Sequence, residues 1–416
     1  MSSVRAFRVE FNRSIAVYMA GEIVSGNIIV DITKEKQIRG LSFSATGKAH
    51  VHWDENILST QNKQRTLYYT SSEKYFQLIC NIIADSRVKL PRGHNQYPFS
   101  FQLPYTIPSS FEHKNGYIRY TIKAVIDRPW KFNHECKAAF TVISNLDLNV
   151  HREKCLGVND ETRKNFCYLC CFKKGTMNLQ ISIPFSGYVA GQMINVTVDY
   201  VNSTNISITR VCTKLLRKLE FHSAIKTITN NSITKTMNHN SVINKMIQAG
   251  PFPTNGQVIS KLLIPPIPPS YLEYCSIIDV NYDLIVCVHV SGPHRKIMKR
   301  FPILIGTIPL YFPPSAPPLN NVISNHSISY TKESAIMPVP TPTSEQSNAS
   351  YLPVGDQSVV PEQPSSSSIN MDIPPPSYEE YMSGTQNILD QNESEYVFGA
   401  NTPFTPRYPV FNYPAP

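Results

Sequence analysis

The sequence has no long apolar run. None of its 416 residues lie in a stretch approaching the roughly 18 uninterrupted apolar residues of a membrane-spanning helix. The opening segment, residues 1–8, also lacks the apolar core of a signal peptide. Its nine cysteines are an odd number without framework spacing, which favours reduced thiols over a disulfide scaffold. These absences predict a cytosolic protein without a membrane span.

A sustained helical periodicity is missing too, and so are the common catalytic motifs. There is no nucleophile elbow, no phosphate-binding glycine loop and no supported pair of carboxylates. We therefore expect no enzyme activity, no metal and no cofactor. No basic run is interleaved with aromatic residues, which argues against nucleic acid as a partner.

The last quarter of the chain has few basic residues. Residues 313–416 hold two Lys or Arg against ten Asp or Glu, whereas residues 1–312 hold 37 against 20. The same tail carries 18 of the 33 prolines, a composition that predicts a disordered proline-rich segment. The basic remainder predicts an acidic or phosphorylated partner, or peripheral association with an anionic membrane. An ordinary solvated basic surface is the alternative.

The first 312 residues show period-two alternation. Apolar residues recur at every second position along Phe7–Phe11, Ile118–Ile126 and Val280–Val288. Each segment predicts a strand with one buried face. Because proline, glycine and asparagine breaks separate the segments, we predict an all-β fold of the sandwich type.

This β-patterned part also repeats itself. The string Tyr-Met-Ala-Gly at 18–21 returns as Tyr-Val-Ala-Gly at 188–191, and Ile107–Phe111 is echoed by Ile267–Tyr271. Matches in the same order indicate duplicated domains. The predicted organisation is a β-sandwich over 1–145, a cysteine-rich linker over 146–176, a second sandwich over 177–312 and the tail over 313–416.

One short motif in the tail carries a recognisable chemistry. Three prolines, a serine and a tyrosine occupy positions 374–378. Adjacent prolines preform a polyproline II turn, and a tyrosine two places later supplies an amphipathic anchor. WW domains bind this Pro-Pro-x-Tyr pattern, here through Pro375, Pro376 and Tyr378. The alternative is a tyrosine that follows prolines by chance.

Two further tail segments resemble recognition signals. Pro406 and Tyr408 keep part of the Pro-Pro-x-Tyr pattern and predict a weak second WW site. The Pro-Ser-Ala-Pro string near the start of the tail resembles the signal read by the UEV domain of ESCRT-I, with a plain linker as the alternative. The residues that would contact ESCRT-I are Pro314, Ser315, Ala316 and Pro317.

Cysteine and histidine groups suggest metal sites that we do not expect to form. Cys155 and the cluster Cys167–Cys171 could offer thiolates to zinc, but two of these cysteines are adjacent and point different ways. Reduced thiols are the expectation, and acylation beside a membrane is the alternative. His50 and His52 share one strand face, and without a third ligand we expect them to face solvent.

Several local strings resemble those of α-arrestins, the arrestin domain-containing proteins. They are Gly116–Tyr120, Asp127–Trp130 and the closing strand Ile305–Leu310. Tandem sandwiches followed by a Pro-Pro-x-Tyr tail are also that family's layout. The resemblance implies a cytosolic adaptor, recruited to plasma membrane and endosomes. Its sandwiches would engage receptors or transporters as cargo, and its tail would recruit WW-domain HECT ubiquitin ligases for ubiquitination, endocytosis and endosomal sorting.

Two other functions stay open. One is redox regulation, as in the thioredoxin-interacting member of the same family, but no cysteine lies between Cys212 and Cys275, where that member's reactive cysteine would be expected. The other is a retromer-type sorting subunit, which would not need the tail. We expect recognition loops at Gln61–Thr70 and Asn230–Gly250.

Overall fold

The computed structural model describes residues 4–58, 64–84, 88–166, 175–226, 232–311, 370–390 and 393–412. These residues belong to one compact unit. It contains two β-sandwiches and a C-terminal segment that packs against them. The all-β prediction for the folded part is therefore confirmed.

The first sandwich consists of a three-stranded sheet facing a larger one. The smaller sheet has the order β1-β3-β8, and the larger has β2-β11-β10-β5-β6 with β9 added beside β10. Alternating apolar residues of both sheets meet in the core, as the period-two pattern predicts. The strands are β1 Val4–Phe11, β2 Val17–Met19, β3 Ile23–Ile32, β4 Lys36–Gln37, β5 Gly40–Leu58, β6 Gln64–Ile83, β7 Lys89–Leu90, β8 Gly93–Gln102, β9 Phe111–His113, β10 Gly116–Asp127 and β11 His134–Ile143.

The second sandwich repeats this plan. A four-stranded sheet β12-β13-β15-β18 faces a five-stranded sheet β14-β20-β19-β16-β17. A 3₁₀ helix, Arg152–Cys155, precedes it. The strands are β12 Val158–Phe166, β13 Gly175–Ile183, β14 Gly187–Val189, β15 Met193–Asn202, β16 Ile208–Lys226, β17 Ser232–Ala249, β18 Asn255–Leu263, β19 Ile278–Val290 and β20 Ile297–Gly306.

The repeated strings occupy equivalent positions in the two sandwiches. Tyr120 in β10 donates its hydroxyl to the Pro108 carbonyl at 2.6 Å, and Tyr282 in β19 donates to the Pro268 carbonyl at 2.8 Å. Each proline belongs to one copy of the Ile-Pro string found in the sequence. Buried tyrosines need such a partner for their hydroxyl groups. The duplication therefore preserves a hydrogen bond as well as a strand pattern.

Two parts of the sandwiches differ from the sequence analysis. Strand β12 lies in the predicted linker, yet it pairs along the whole length of β13. It resembles a linker in sequence because it is an edge strand with alternate residues in water. The predicted loops Gln61–Thr70 and Asn230–Gly250 fall largely within β6 and β17, the outer strands of two long hairpins.

The described part of the tail is ordered, which differs from the disorder predicted for it. Its elements are β21 Asn370–Asp372, the helix α1 Tyr378–Ser383 and β22 Val410–Asn412. Strand β21 pairs with β22, so the segment returns on itself. We call residues 370–412 the docked tail. Residues 312–369 lie outside the described residues.

Candidate functional site: the docked tail and its exposed tyrosine

The Pro-Pro-x-Tyr motif leads directly into helix α1. Ser377 is the N-cap, and its hydroxyl accepts a hydrogen bond from the Glu380 backbone N–H at 3.3 Å. Serine is a favoured N-cap because it satisfies an otherwise unpaired backbone donor. Glu379 and Glu380 in the first turn complement the helix dipole. The N-cap serine and the acidic first turn therefore explain why the helix begins at Tyr378.

The motif presents a tyrosine to solvent. Tyr378 is 74% exposed and Pro375 is exposed, whereas Pro376 is half-buried. Pro376 lines a depression of about 330 Å³ whose walls include Ile15 and Tyr381. The predicted WW contacts thus lie together at the surface, with one face of the motif turned toward the sandwich.

Glu380, two residues after the exposed tyrosine, is buried against the second sandwich. Its carboxylate accepts a hydrogen bond from the Arg217 guanidinium of β16, and the two side chains are only 2% and 3% exposed. Burial raises the pKa of Glu380, against the lowering effect of the Arg217 charge. A buried charge left without its partner is strongly destabilising. This ion pair therefore anchors the docked tail.

A second acidic group of the docked tail binds lysines of the first sandwich. The Lys137 ammonium contacts Asp390 at 2.9 Å and Glu393 at 2.7 Å, and Lys123 contacts Glu393 at 3.1 Å. Lys48 also pairs with Asp390. Burial alone would raise the pKa of Asp390, but hydrogen bonds and charges from Lys48 and Lys137 hold it below its usual value. The acidic tail and the basic sandwich are thus complementary.

The docked tail also covers an open sheet edge. Strand β2 pairs with only the last part of β11, Thr141–Ile143. Farther along the same edge, the Lys137 N–H donates to the Phe398 carbonyl at 2.8 Å, and the Phe398 N–H donates to the Glu135 carbonyl at 2.9 Å. Unpaired edges invite pairing with another chain. Here the tail supplies the missing partner.

The end of the docked tail is buried between elements of both sandwiches. Tyr408 is 2% exposed, and its hydroxyl donates to the Ser110 carbonyl at 2.9 Å. Burial raises its pKa well above the usual value. Pro406 is buried, and the Phe411 N–H donates to the Ala190 carbonyl of the second sandwich at 3.0 Å. The weak WW site predicted at Pro406 and Tyr408 is therefore inaccessible while the tail is docked.

A cavity of about 550 Å³ lies beneath the docked tail. The sandwich residues that line it are largely cationic or aromatic. Arg119 and Glu112 form a buried pair there, with contacts of 2.7 and 2.9 Å. The His113 and His239 rings are 4.9 Å apart. Tail residues close the other side, including Met382 and Leu389.

The cavity predicts a pH dependence of stability. Burial, together with the charges of His239, Arg217 and Lys114, lowers the His113 pKa from 6.5 to about 3. Below pH 6.5 the His113 imidazole is protonated in the unfolded chain, whereas in the folded protein it stays neutral down to about pH 3. Stability is therefore lost as the pH falls from 6.5 to 3. Between pH 7 and pH 5, wild type should lose about 2 kcal/mol more than His113→Gln.

Urea unfolding at the two pH values measures this difference in the free energy of unfolding. His52→Gln, which removes an exposed imidazole from the same cavity, should behave like wild type. An equal acid loss in wild type and His113→Gln would contradict the argument.

The remaining predicted positions fall in three places. Pro314, Ser315, Ala316 and Pro317 lie outside the described residues, as does Cys167–Cys171. Cys155 is buried, and its thiol contacts the Leu148 carbonyl at 3.8 Å. The His50 and His52 rings stack at 5.7 Å.

Among the described residues, one group has the spacing of metal ligands. Glu220, His222 and Asp279 offer ligand atoms within 4.8 Å of one another on β16 and β19. Both ring nitrogens of His222 already have hydrogen-bond partners, Thr236 and Asp279, each at 2.9 Å. The group is a hydrogen-bonded cluster as it stands.

Sequence reasoning missed the anchoring residues Arg217, Lys137 and Glu380. No local pattern identifies them, because their partners are distant in sequence. Arg217 and Glu380 are 163 residues apart, and Lys137 and Asp390 are 253 residues apart. The available signal was the opposite net charge of the sandwich region and the tail.

Paired β-sandwiches joined in tandem are an arrestin-type architecture, and comparison with known families agrees. Residues 7–149 match the family model described as arrestin (or S-antigen), N-terminal domain, and residues 173–310 match its C-terminal domain. The chain therefore belongs to the arrestin family, in its α-arrestin branch.

Its relatives are arrestin domain-containing proteins. Protein 17 of that name from Caenorhabditis elegans is 29% identical over 326 residues, covering 74% of this chain and 72% of the relative. Human arrestin domain-containing protein 4 is 27% identical over 301 residues, covering 70% and 68%. Rat arrestin domain-containing protein 1 is 26% identical over 325 residues, covering 76% and 68%.

Family membership indicates a non-enzymatic adaptor, in agreement with the lack of catalytic motifs in the sequence. In the described ranges, no helix combines the length and apolar character needed to cross a bilayer.

Proposed function

We propose that this protein is a cytosolic adaptor that links membrane receptors or transporters to WW-domain HECT ubiquitin ligases. Its outcome would be ubiquitination, endocytosis and endosomal sorting of the cargo, at the plasma membrane and endosomes. The observation that carries the proposal is the exposure of Tyr378 and Pro375 on an arrestin-type scaffold.

The geometry suits ligase recruitment. A WW domain bound at Tyr378 would be held near the sandwiches by the Glu380–Arg217 ion pair while the tail is docked, and by the chain that precedes the motif when the tail is released. Such tethering raises the effective concentration of the ligase near any cargo held by the same scaffold. A single Pro-Pro-x-Tyr peptide gives micromolar affinity, about −8 kcal/mol.

The basic surface under the tail suits acidic cargo. Lys48, Lys123 and Lys137 bind the tail carboxylates in the docked state. An acidic or phosphorylated cytoplasmic segment could bind the same lysines once the tail leaves, and raised salt would weaken that contact.

A further contact with ESCRT-I is proposed for Pro314, Ser315, Ala316 and Pro317. It rests on the sequence pattern and its position directly after the second sandwich. A peptide spanning residues 312–319 should bind a UEV domain in titration. The absence of binding would remove this partner from the proposal.

The redox alternative is less well supported. Burial raises the pKa of the Cys275 thiol to about 11, and a thiol with so high a pKa is a poor nucleophile at neutral pH. A retromer-type role would survive deletion of residues 313–416, whereas the ligase-adaptor role would not. That deletion therefore separates the two proposals.

Phosphorylation of Tyr378 is expected to block WW binding. The added charge, about −1.5 to −2, would enter a largely apolar aromatic pocket. Titration of an isolated WW domain with peptides spanning residues 372–383, plain and phosphorylated, measures the effect. Micromolar binding of the plain peptide and at least a tenfold loss on phosphorylation are expected. Equal affinities would refute the assignment of the tyrosine to that pocket.

A further inference from the structure

The loop between β10 and β11, residues 128–133, holds two fully exposed aromatic side chains. Trp130 is 101% exposed and Phe132 is 94% exposed. The sequence has two tryptophans, and the other, Trp53, is buried and stacked on Tyr69 at 5.1 Å. Single exposed apolar residues are common, but two large rings at the tip of one short loop form a local apolar surface.

The loop is held in a defined conformation. Trp130 has φ of +58°, in the left-handed region that bulky residues seldom adopt. The Arg128 guanidinium donates to the Phe132 carbonyl at 2.6 Å, and the Arg128 N–H donates to the Asn133 side-chain oxygen at 3.3 Å. These bonds span the turn, so the rings project from a braced loop. Bracing reduces the entropy that binding would otherwise cost.

Positive charge surrounds the two rings. Burial lowers the Lys36 pKa to about 8, and the nearby charges of Arg128 and Lys131 add to this lowering. The Lys36 ammonium contacts the His134 ring at 3.0 Å.

The nearby carboxylates belong to other cations. Asp127 pairs with Arg39 at 2.7 Å, and Glu135 pairs with Lys123 at 2.7 Å. Across the described ranges, no carboxylate lies within ion-pair distance of Lys36, Arg128 or Lys131, which leaves the loop with an unneutralised positive field.

We propose that this loop is a membrane contact, in which Trp130 and Phe132 enter the interface of an anionic bilayer while Arg128, Lys131 and Lys36 face the lipid headgroups. Tryptophan favours the headgroup level of membranes, and each nearby cation adds attraction to acidic lipids. A convex tip with apolar rings and basic flanks fits a lipid surface better than a protein partner, which needs a larger complementary patch.

The proposal adds a membrane contact to the proposed adaptor function and does not depend on ligase recruitment. Its failure would leave the Tyr378 interaction untouched. Conversely, loss of WW binding would leave the loop and its lipid contact intact, so the two failures are distinguishable.

Tryptophan fluorescence of the purified full chain tests the loop directly, because Trp53 is buried. Vesicles of phosphatidylcholine with about 30% phosphatidylserine should shift the Trp130 emission to the blue. Lipids brominated along their acyl chains should quench it. The variant Trp130→Phe is the control, because it keeps an apolar ring in the loop and its fluorescence comes from Trp53 alone.

Vesicle sedimentation supplies the affinity. The double variant Trp130→Ala/Phe132→Ala should bind acidic vesicles about tenfold more weakly than wild type, and pure phosphatidylcholine should bind both poorly. Tyr68→Ala, which removes another exposed aromatic side chain from β6, should match wild type.

Three results would overturn the proposal. One is no binding to acidic vesicles. Another is binding without bromolipid quenching and without loss in the double variant, which would place the lipid contact on another basic surface. The third is protection of Trp130 from acrylamide by polyglutamate but not by vesicles, which would assign the loop to an acidic protein.

Discussion

Replacing Glu380 by alanine is expected to release residues 370–412 from the sandwiches. The change leaves Arg217 buried without a countercharge, and its Nε atom already lacks a hydrogen-bond partner among the described residues. Breaking a buried ion pair costs about 3–5 kcal/mol. The protein avoids most of that penalty by undocking the tail, which returns Arg217 to water. Hydrogen exchange of the docked tail should therefore accelerate strongly.

Release of the tail should also change ligase binding. In the docked state, Pro376 is half-buried against the sandwich, so only part of the motif is open to a WW groove. The apparent affinity of a motif falls with the fraction of molecules in the competent state. Glu380→Ala should therefore bind a WW domain on the order of tenfold more tightly than wild type.

Glu379→Ala is the matched control for both measurements. Glu379 is the exposed neighbour of Glu380, and its removal leaves the Arg217 pair intact. It should show wild-type exchange and wild-type affinity. Unchanged exchange in Glu380→Ala would contradict the anchoring role. Unchanged WW affinity with fast exchange would show that docking does not restrict the motif.

Replacing Tyr378 by alanine is expected to weaken WW binding by at least about 30-fold. A tyrosine in a central, desolvated pocket typically contributes more than 2 kcal/mol on truncation. Because this side chain is exposed in the protein, the change should leave the melting temperature of the sandwiches unaltered. A titration of the purified full chain with a WW domain, together with a thermal melt, measures both effects.

Tyr396→Ala is the control for that experiment, since it removes another exposed tyrosine of the docked tail outside the motif. Its WW affinity should equal that of wild type. WW binding that survives Tyr378→Ala undiminished would mean that the motif is not the ligase site. Residual binding that disappears only when Tyr408 is also replaced would assign that part to the second motif.

The sandwiches could be predicted because the pattern that specifies each strand lies within a short segment of sequence. Each alternating segment, such as Ile118–Ile126, reports its own buried face. The repeated Ile-Pro strings mark the places where Tyr120 and Tyr282 find their carbonyl partners. The sequence did not predict strand β12, because an edge strand with one solvent-exposed face has the polar composition of a linker.

Docking of the tail could not be predicted in the same way, because it depends on partners far apart in the chain. Glu380 is a surface-type residue by local criteria, and it becomes a buried anchor only when β16 brings Arg217 beside it. Tyr408 likewise follows prolines in a polar segment, yet it fills a site between Val17 and Ile143. Composition correctly indicated the net negative charge of the tail, but it could not indicate which tail carboxylate pairs with which basic residue of the sandwiches.

Proximity labelling in cells, with wild type beside Tyr378→Ala, tests the adaptor account most directly. Wild type should label both HECT-type ligases and integral membrane proteins, whereas Tyr378→Ala should lose the ligases and keep the membrane proteins. Equal labelling of ligases by the two proteins, or a wild-type set without membrane proteins, would contradict it.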